Sequence, residues 1–371
     1  MSYATDVFVV GGGPAGLAAA IAARQRGLRV IVADGMRPPI DKACGEGFLP
    51  DGLAAVERLG LQLPLGEAYP FRGVRFLNAT LAAESLFPGA VSGMAVRRTV
   101  LHRIVMERAE QLGTEFMWGA AVSGISANGV RVGATTVRTR WIVGADGANS
   151  RVRGWAGLNR GSRPRLRYAF RQHYRVRPWT DHMEVYWGDR CQGYATAVGE
   201  DLVCVALASH DPKLRLQDGL RELPRLNDRL RGAEIISSER GALTGNRGFA
   251  RVWKDNVALI GDASGTVDAI TGEGIGLAFT QAAALADCMA RASLAPYQVE
   301  HRRMMLRPRA MARLMLNMDG KPWLQRRTLQ VFQTRPEIFH RLVELHVGAR
   351  SPLDIAFALD GLMLGWGLLT A

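Results

Sequence analysis

Six residues near the N-terminus, Gly11-Gly12-Gly13-Pro14-Ala15-Gly16, have the types and spacing needed to hold a pyrophosphate. They fit G-x-G-x-x-G between the apolar run Val7 to Val10 and an Ala-rich stretch beginning at Leu17. In such a turn Gly11 permits the tight reversal. Gly13 lets the backbone approach the phosphates at the positive end of a helix, and Gly16 lets that helix close on the strand. Asp34 ends the next apolar run eighteen residues after Gly16, where a carboxylate can accept hydrogen bonds from both hydroxyls of a ribose. An acid at that strand end opposes a 2′-phosphate, so the expected nucleotide is FAD or NAD rather than NADP.

The elements that must position this turn are legible. Asp6 to Val10 reads as a strand, Leu17 to Arg26 as a helix and Leu28 to Ala33 as a second strand, which together make a βαβ start. Phe71 to Leu77 and Leu81 to Phe87 read as a hairpin, Thr99 to Leu112 as a helix and Trp141 to Val143 as a strand. From about Leu166 to Ser209 short strands repeat: Arg167 to Val176, Met183 to Trp187, Tyr194 to Val198 and Leu202 to Ala208. An antiparallel sheet is the simplest account. A βαβ pattern returns with Val257 to Ile260 and a helix from about Ile275 to Ala292.

The fold class expected is therefore α/β: a Rossmann-like nucleotide-binding domain with an inserted antiparallel β-sheet domain and C-terminal helices. The expected division is residues 1–70, 93–160 and 245–300 for the discontinuous nucleotide-binding domain, 71–92 and 161–244 for the sheet domain, and 301–371 for the helical region.

Composition narrows the function classes. Apolar residues make up 48% of the 371 and charged residues 22%, the balance of a globular protein. The four cysteines, Cys44, Cys191, Cys204 and Cys288, form no C-x-x-C pair and have no His at metal-ligand spacing. A reduced, cytoplasmic protein without a disulfide framework or structural zinc is expected. The N-terminal apolar run is too short, and lacks the basic leader, for a signal peptide.

The net charge of +13 is carried mainly by arginine. Between His301 and Arg350, ten Arg and one Lys stand against Asp319, Glu337 and Glu344. Met304, Met311, Leu314, Met315 and Met318 recur among them at helical spacing. A core stripe with a solvated basic back is the plainer reading, and peripheral contact with a membrane the sharper one. No nucleic-acid partner is expected. The apolar segment from Leu353 to Ala371 contains Asp354 and Asp360, whose burial at a bilayer centre costs about 2.5–3.5 kcal/mol each, so packing or an interfacial position is expected over spanning.

Two further stretches carry a resemblance. Gly144-Ala145-Asp146-Gly147, continuing to Arg153, resembles the D-G motif of the para-hydroxybenzoate hydroxylase superfamily. Gly261-Asp262-Ala263-Ser264-Gly265, continuing through Gly272-Glu273-Gly274-Ile275-Gly276, resembles its G-D motif in the form found in geranylgeranyl reductases. With the first turn they stand in the superfamily order, over about residues 5 to 300.

The resemblance implies FAD as the cofactor. It implies that Asp262 accepts a hydrogen bond from the ribityl chain and that Gly272, Gly274, Ile275 and Gly276 lie along the isoalloxazine. Arg98 would contact the ribityl-pyrophosphate region, with Arg97 able to substitute. Asp146 would touch the cofactor or form a turn. Lys42-Ala43-Cys44-Gly45-Glu46-Gly47 resembles the K-x-C-G-G region of geranylgeranyl reductases, which implies a place beside flavin and substrate. There Cys44 and Glu46 are candidate proton donors, provided the pocket shifts their pKa values; the alternative is a covering loop in which Cys44 packs. His173 and Tyr194, on strands of the inserted sheet, are candidate substrate contacts or ordinary sheet residues.

The absences discriminate too. There is no second G-x-G-x-x-G, no paired redox cysteines, and no W-x-W-x-x-I-P stretch of tryptophan-type flavin halogenases. Ser264-Gly265 and Thr271-Gly272-Glu273-Gly274 depart from the hydroxylase form, and Ala269 stands where reductases commonly have proline. The expectation is an FAD-dependent oxidoreductase that reduces a carbon-carbon double bond of a lipophilic small molecule, with NAD(P)H as a transient electron donor. The alternatives are an NAD(P)H-dependent monooxygenase hydroxylating an aromatic or polyketide substrate, and a non-catalytic basic flavoprotein associated with membrane or nucleic acid.

Overall fold

The computed structural model describes residues 4–64, 66–127, 129–162 and 166–350. The chain opens with strand β1 (Thr5–Val10), helix α1 (Pro14–Arg24) and strand β2 (Val30–Asp34). Helix α2 (Pro50–Arg58), the hairpin strands β3 (Gly73–Leu77) and β4 (Ala82–Leu86), helix α3 (Arg98–Gln111) and strands β5 (Glu115–Trp118) and β6 (Thr139–Gly144) follow. After the short helix α4 (Arg151–Trp155) come β7 (Arg167–Arg175), β8 (His182–Trp187), β9 (Cys191–Gly199), β10 (Leu202–Ser209) and β11 (Arg240–Thr244). Strand β12 (Val257–Leu259), helix α5 (Gly274–Ala290) and the helices α6 (Ala295–Leu316), α7 (Pro322–Thr334) and α8 (Pro336–His346) complete the order.

Strands β12, β6, β1, β2 and β5 lie side by side and parallel, with a short antiparallel strand at 253–254 on the outer edge. The pairings Val9 with Val143 and Val9 with Val32 put the end of β1 at the centre of the sheet. Helix α1 packs there because seven of its consecutive residues, Leu17 to Ala23, are Leu, Ile or Ala and almost wholly buried. Their small size lets α5 approach, through Phe279, Ala282, Leu285 and Ala286. This is the expected Rossmann-like half.

The second sheet runs β7-β10-β9-β8-β3-β4, with β11 also paired to β7. It is antiparallel except at one seam: β8 pairs with β3 in parallel, His182 opposite Gly73 and Tyr186 opposite Leu77. The inserted sheet is thus antiparallel as expected, with this one parallel seam where it takes in β3. Strand β8 closes a hairpin with β9 on one side and meets the hairpin β3-β4, about a hundred residues earlier in the chain, on the other, a pairing that no local pattern encodes.

One face of this sheet carries Phe76, Val185 and Trp187, which pack against Met315 of α6, Met318 just beyond its end, Phe332 of α7 and Phe339 of α8. The Phe332 and Phe339 rings stack at 4.5 Å between centroids. Met311, Met315 and Met318 are buried while Leu314 is exposed, so most of the methionine stripe is core. The apolar segment 353–371 lies outside the described residues.

Candidate functional site

The glycine turn between β1 and α1 is shaped by what side chains would hit. Gly11 has φ +112°, and a Cβ there would sit 2.4 Å from the Ala145 carbonyl oxygen on β6's continuation. A Cβ on Gly16 would sit 1.8 Å from the Gly11 carbonyl oxygen. Gly13 differs: its Cβ would meet nothing within 4 Å, so it borders open space at the N-terminus of α1, where Pro14 occupies the first turn and has no amide of its own to satisfy. Asp34 Oδ2 accepts from Gly12 N at 2.7 Å and Oδ1 from Met36 N at 2.7 Å, which fixes the carboxylate at the mouth of the turn.

Two partners were not legible in the sequence. His102 of α3, buried, bonds its Nε2 to the Gly12 carbonyl at 2.9 Å, and burial pushes its pKa down, keeping the ring neutral. Trp118 of β5 closes over Gly12, whose Cβ would fall 2.2 Å from the ring. Glycine at position 12 is thus needed as well, although the motif leaves that position free.

The G-D stretch lies against the same turn: a Cβ on Gly261, φ +55°, would approach the Ala15 Cβ to 2.8 Å, and Gly261 N donates to Gln281 Oε1 at 2.8 Å. Asp262 carries an ion pair with Lys42 Nζ at 3.0 Å, which ties the loop bearing Cys44 and Glu46 to the G-D turn. Gly272 (φ +70°) and Gly274 face open space, whereas a Cβ on Gly276 would come 2.7 Å from Gly52 Cα. Gly276 thus serves the close crossing of α5 over α2, and half-buried Ile275 packs on the first core. Asp146 accepts from Ser150 Oγ at 2.5 Å, Arg151 N at 2.7 Å and Val152 N at 3.1 Å, so its carboxylate caps α4; this is the turn-forming role of the two considered.

These residues fit an FAD. Arg97 Nε and Arg98 Nε are buried without a hydrogen-bond partner, which suits donors awaiting an anionic or polar ligand. Gly13, Gly272 and Gly274 line the space where side chains would intrude. Arg98 lies close enough to both Cys44 and His102 to bias their charge, so it bridges the glycine turn and the Cys44 loop.

On the other side stands the inserted sheet. Arg171 and His173 of β7 share a face, as do Ala206 and Cys204 opposite them on β10 and Tyr194 of β9 beyond Ala206. Cys44 is half-buried. Burial, chiefly, and the Glu46 charge push its pKa up despite Arg98 and Arg171, so it is held as the thiol. Glu46 is buried and has φ +62°, a conformation costing a non-glycine residue about 1–3 kcal/mol. It stands where the K-x-C-G-G pattern has its second glycine. Its Oε2 lies 2.7 Å from His173 Nε2 and its Oε1 accepts from Arg98 N at 2.8 Å, with Arg171 Nη2 4.0 Å away. Arg171 also binds Asp41 Oδ1 at 2.5 Å, clamping the loop to the sheet.

Glu46, His173 and Cys204 bring three metal-ligand atoms within 4.8 Å of one another, but the direct Glu46–His173 bond and the adjacent guanidinium make this a hydrogen-bonded cluster. His173 is therefore joined to Glu46. Tyr194 belongs to a second cluster: its OH donates to Gln192 Oε1 at 2.9 Å, which also accepts from Arg167 Nη2 at 2.6 Å, and Arg167 pairs with Asp268 at 2.8 Å in full burial. Burial raises the Tyr194 pKa, so the phenol stays protonated.

The C-terminal helices reach this region too. Arg307 of α6 pairs with Asp51 and Glu273, and His346 Nε2 of α8 bonds the Thr271 carbonyl at 2.9 Å.

Residues 4–186 match the family described as "FAD binding domain", and residues 220–334 match "Tryptophan halogenase". The chain is 30% identical over 302 residues to a menaquinone reductase of Mycobacterium tuberculosis, covering 73% of this chain and 72% of that protein. It belongs to the FAD-dependent oxidoreductases of the para-hydroxybenzoate hydroxylase superfamily. Within that family it is of the geranylgeranyl/menaquinone reductase type. A chloroplastic geranylgeranyl diphosphate reductase of Oryza sativa is 31% identical over 308 residues, 72% of this chain and 63% of that one. A flavoprotein/dehydrogenase of Cytophaga hutchinsonii shares the fold with a TM-score of 0.79 at 17% identity, over 93% of this chain and 92% of that one. An FAD-dependent oxidoreductase is an enzyme, which sets aside the non-catalytic alternative. The second match, to the halogenase family, takes in the G-D motif and α6 without the W-x-W-x-x-I-P stretch.

Proposed function

We propose that this enzyme reduces a carbon-carbon double bond in a lipophilic, isoprenoid-bearing small molecule, with NAD(P)H as the transient donor. The observation that carries the reading is the half-buried Cys44 thiol, tied through Lys42 to the G-D turn and kept protonated by its surroundings. Bound FAD would supply the hydride. Gly13, Asp34, Arg98 and Asp262 would hold it, with Gly272 and Gly274 along its ring. Cys44 would give its Sγ proton to the carbon left electron-rich, so that one hydride and one proton add across the bond. Tyr194, half-buried on the face of the inserted sheet that carries Arg171 and His173, would supply a polar contact to the substrate. The relatives named as menaquinone and geranylgeranyl diphosphate reductases support a substrate of this kind.

We further propose that the enzyme works in the cytoplasm and touches a membrane peripherally through α6 and the start of α7. Val299, Arg302, Arg303, Leu306, Arg313 and Leu314 form one exposed stripe on α6, with Val299 65% and Leu306 69% exposed, and Trp323 at the start of α7 is 61% exposed. Among the described residues no helix is long and apolar enough to cross a membrane.

The test is anaerobic: FAD-loaded enzyme is photoreduced and mixed with a menaquinone or with geranylgeranyl diphosphate. Flavin reoxidation without O2, and a product heavier by two hydrogens, are expected. Reoxidation that needs O2, with labelled oxygen in the product, overturns the reading and favours the hydroxylase.

A further inference from the structure

Glu46 occupies a glycine position of the resembled motif in a strained backbone conformation, and its surroundings explain what the strain secures. Arg171 Nη1 lies 3.2 Å from His173 Nδ1. A guanidinium only donates, so Nδ1 accepts and the ring proton of the neutral imidazole sits on Nε2. That proton points at Glu46 Oε2, 2.7 Å away. Ser237 Oγ accepts from the His173 backbone N at 2.9 Å and lies 3.0 Å from Nδ1, so turning the ring over would cost Nδ1 its contacts with Arg171 and Ser237.

The other Glu46 oxygen accepts from the Arg98 amide, and the Cys204 thiol lies within reach of the same carboxylate. The Arg98 amide and the His173 ring both donate, one to each carboxylate oxygen, so Glu46 is held as an acceptor on both sides. Its backbone N in turn points at Cys44 Sγ at 3.3 Å, so the anion and the thiol are held by adjacent backbone in one fixed geometry. The charged groups facing Cys44 are then Arg98 from α3, Arg171 from β7 and Glu46 from its own loop, with Cys204 from β10 beside it.

We propose that Glu46 and His173 are a positioning pair: His173 and the Arg98 amide lock the Glu46 carboxylate beside Cys44, where it offsets Arg98 and Arg171 and helps keep Cys44 a thiol. Its purpose rests on the reading of Cys44 as proton donor. Two arginines beside the sulfur pull against burial, toward a thiolate, which is a nucleophile and no acid, and the Glu46 carboxylate opposes that pull. The arrangement also separates two candidates that are equal in the sequence: Glu46, with both oxygens accepting, is the support and Cys44 the donor.

The test needs no substrate, so its failure and failure of the reductase reading are distinguishable. FAD-loaded, full-length protein is alkylated with iodoacetamide across neutral pH, and modification of Cys44 is followed by peptide mass. The native enzyme is expected to react slowly. Glu46→Gln should react about tenfold faster near neutrality, the effect of a one-unit fall in thiol pKa, and should gain a long-wavelength thiolate-to-flavin absorbance band. Glu46→Asp, which keeps the anion, should stay slow. His173→Leu strips the carboxylate of its donor, favours the neutral acid and should move the rate the same way as Glu46→Gln. An FAD-loaded Glu46→Gln with the native rate and no new band overturns the proposal. So does native Cys44 that alkylates as fast as an unhindered thiolate, a result that requires no variant to fold.

Discussion

A Cβ on Gly16 would lie 1.8 Å from the carbonyl oxygen of Gly11, while one on Gly13, three residues earlier, would touch nothing. Two glycines of one motif therefore answer to different demands, the first to the fold and the second to the ligand. Gly16→Ala is expected to lower Tm sharply or to prevent soluble expression, because the contact is backbone to backbone and has no side chain that could swing away. Gly13→Val, at an ordinary extended φ of −73°, should fold with native circular dichroism yet bind FAD at least about 100-fold more weakly, about 3 kcal/mol. Thermal melts check the first and fluorescence titration with FAD the second, and native affinity in Gly13→Val would remove the pyrophosphate from this turn.

Cys44→Ala separates binding from chemistry. Nothing in the cradle for FAD depends on the thiol, so the FAD content and visible spectrum should match the native enzyme. Transfer from reduced flavin to the double bond should slow by about 10²–10⁴, the usual worth of a positioned proton donor. Stopped-flow reoxidation under anaerobic conditions measures it. An unchanged rate would assign the proton to Tyr194 or to water.

How far the sequence reached is clear from which partners are near in the chain. The Gly11–Gly16 turn, Asp34 and the strand ends of β1 and β2 are set within thirty residues by apolar runs and punctuation, and each was readable. Periodicity also located β7 to β10, since alternation shows that a strand has two faces. It does not show which strand lies alongside, and the parallel β3–β8 seam joins residues about a hundred positions apart. The same limit hid the site: His173 meets Glu46 across 127 positions and His102 meets Gly12 across 90. A lone histidine on an α-helix or strand carries no mark of the carboxylate or carbonyl it will find. The one available signal was Glu46 itself, a bulky acid at a motif glycine.

His301 makes stability depend on pH. Its Nε2 bonds Ser264 Oγ at 2.9 Å inside the core, and burial lowers its pKa to about 4. The unfolded chain takes up the proton near 6.5, the folded one only near 4, so stability is whole above about 6.5 and falls as pH drops through that window. The loss is about 3 kcal/mol. Glu273, whose pKa is raised by burial, acts in the opposite sense, so the difference between native and His301→Gln protein isolates the histidine. Urea midpoints from neutral pH down to pH about 4 should converge for the two proteins as the pH falls; parallel curves would mean that His301 takes up its proton as readily in the folded state as in the unfolded one.

The exposed ridge of α6 predicts a surface preference that net charge alone does not. Arginine at 302, 303 and 313 would draw the protein to anionic lipid at about 1 kcal/mol each, a contribution that salt removes. Leu306 and Trp323 would add an apolar part of about 1.5–3 kcal/mol apiece on burial, which salt leaves intact. Co-sedimentation with phosphatidylglycerol vesicles should therefore weaken in high salt without vanishing. The double variant Leu306→Glu, Trp323→Ala should lose at least about tenfold in binding while keeping native FAD content, since neither side chain contacts the cradle. Native protein that ignores anionic vesicles, or a double variant that binds as well as native, would leave the ridge as a solvated basic back and require the lipophilic substrate to arrive by another face.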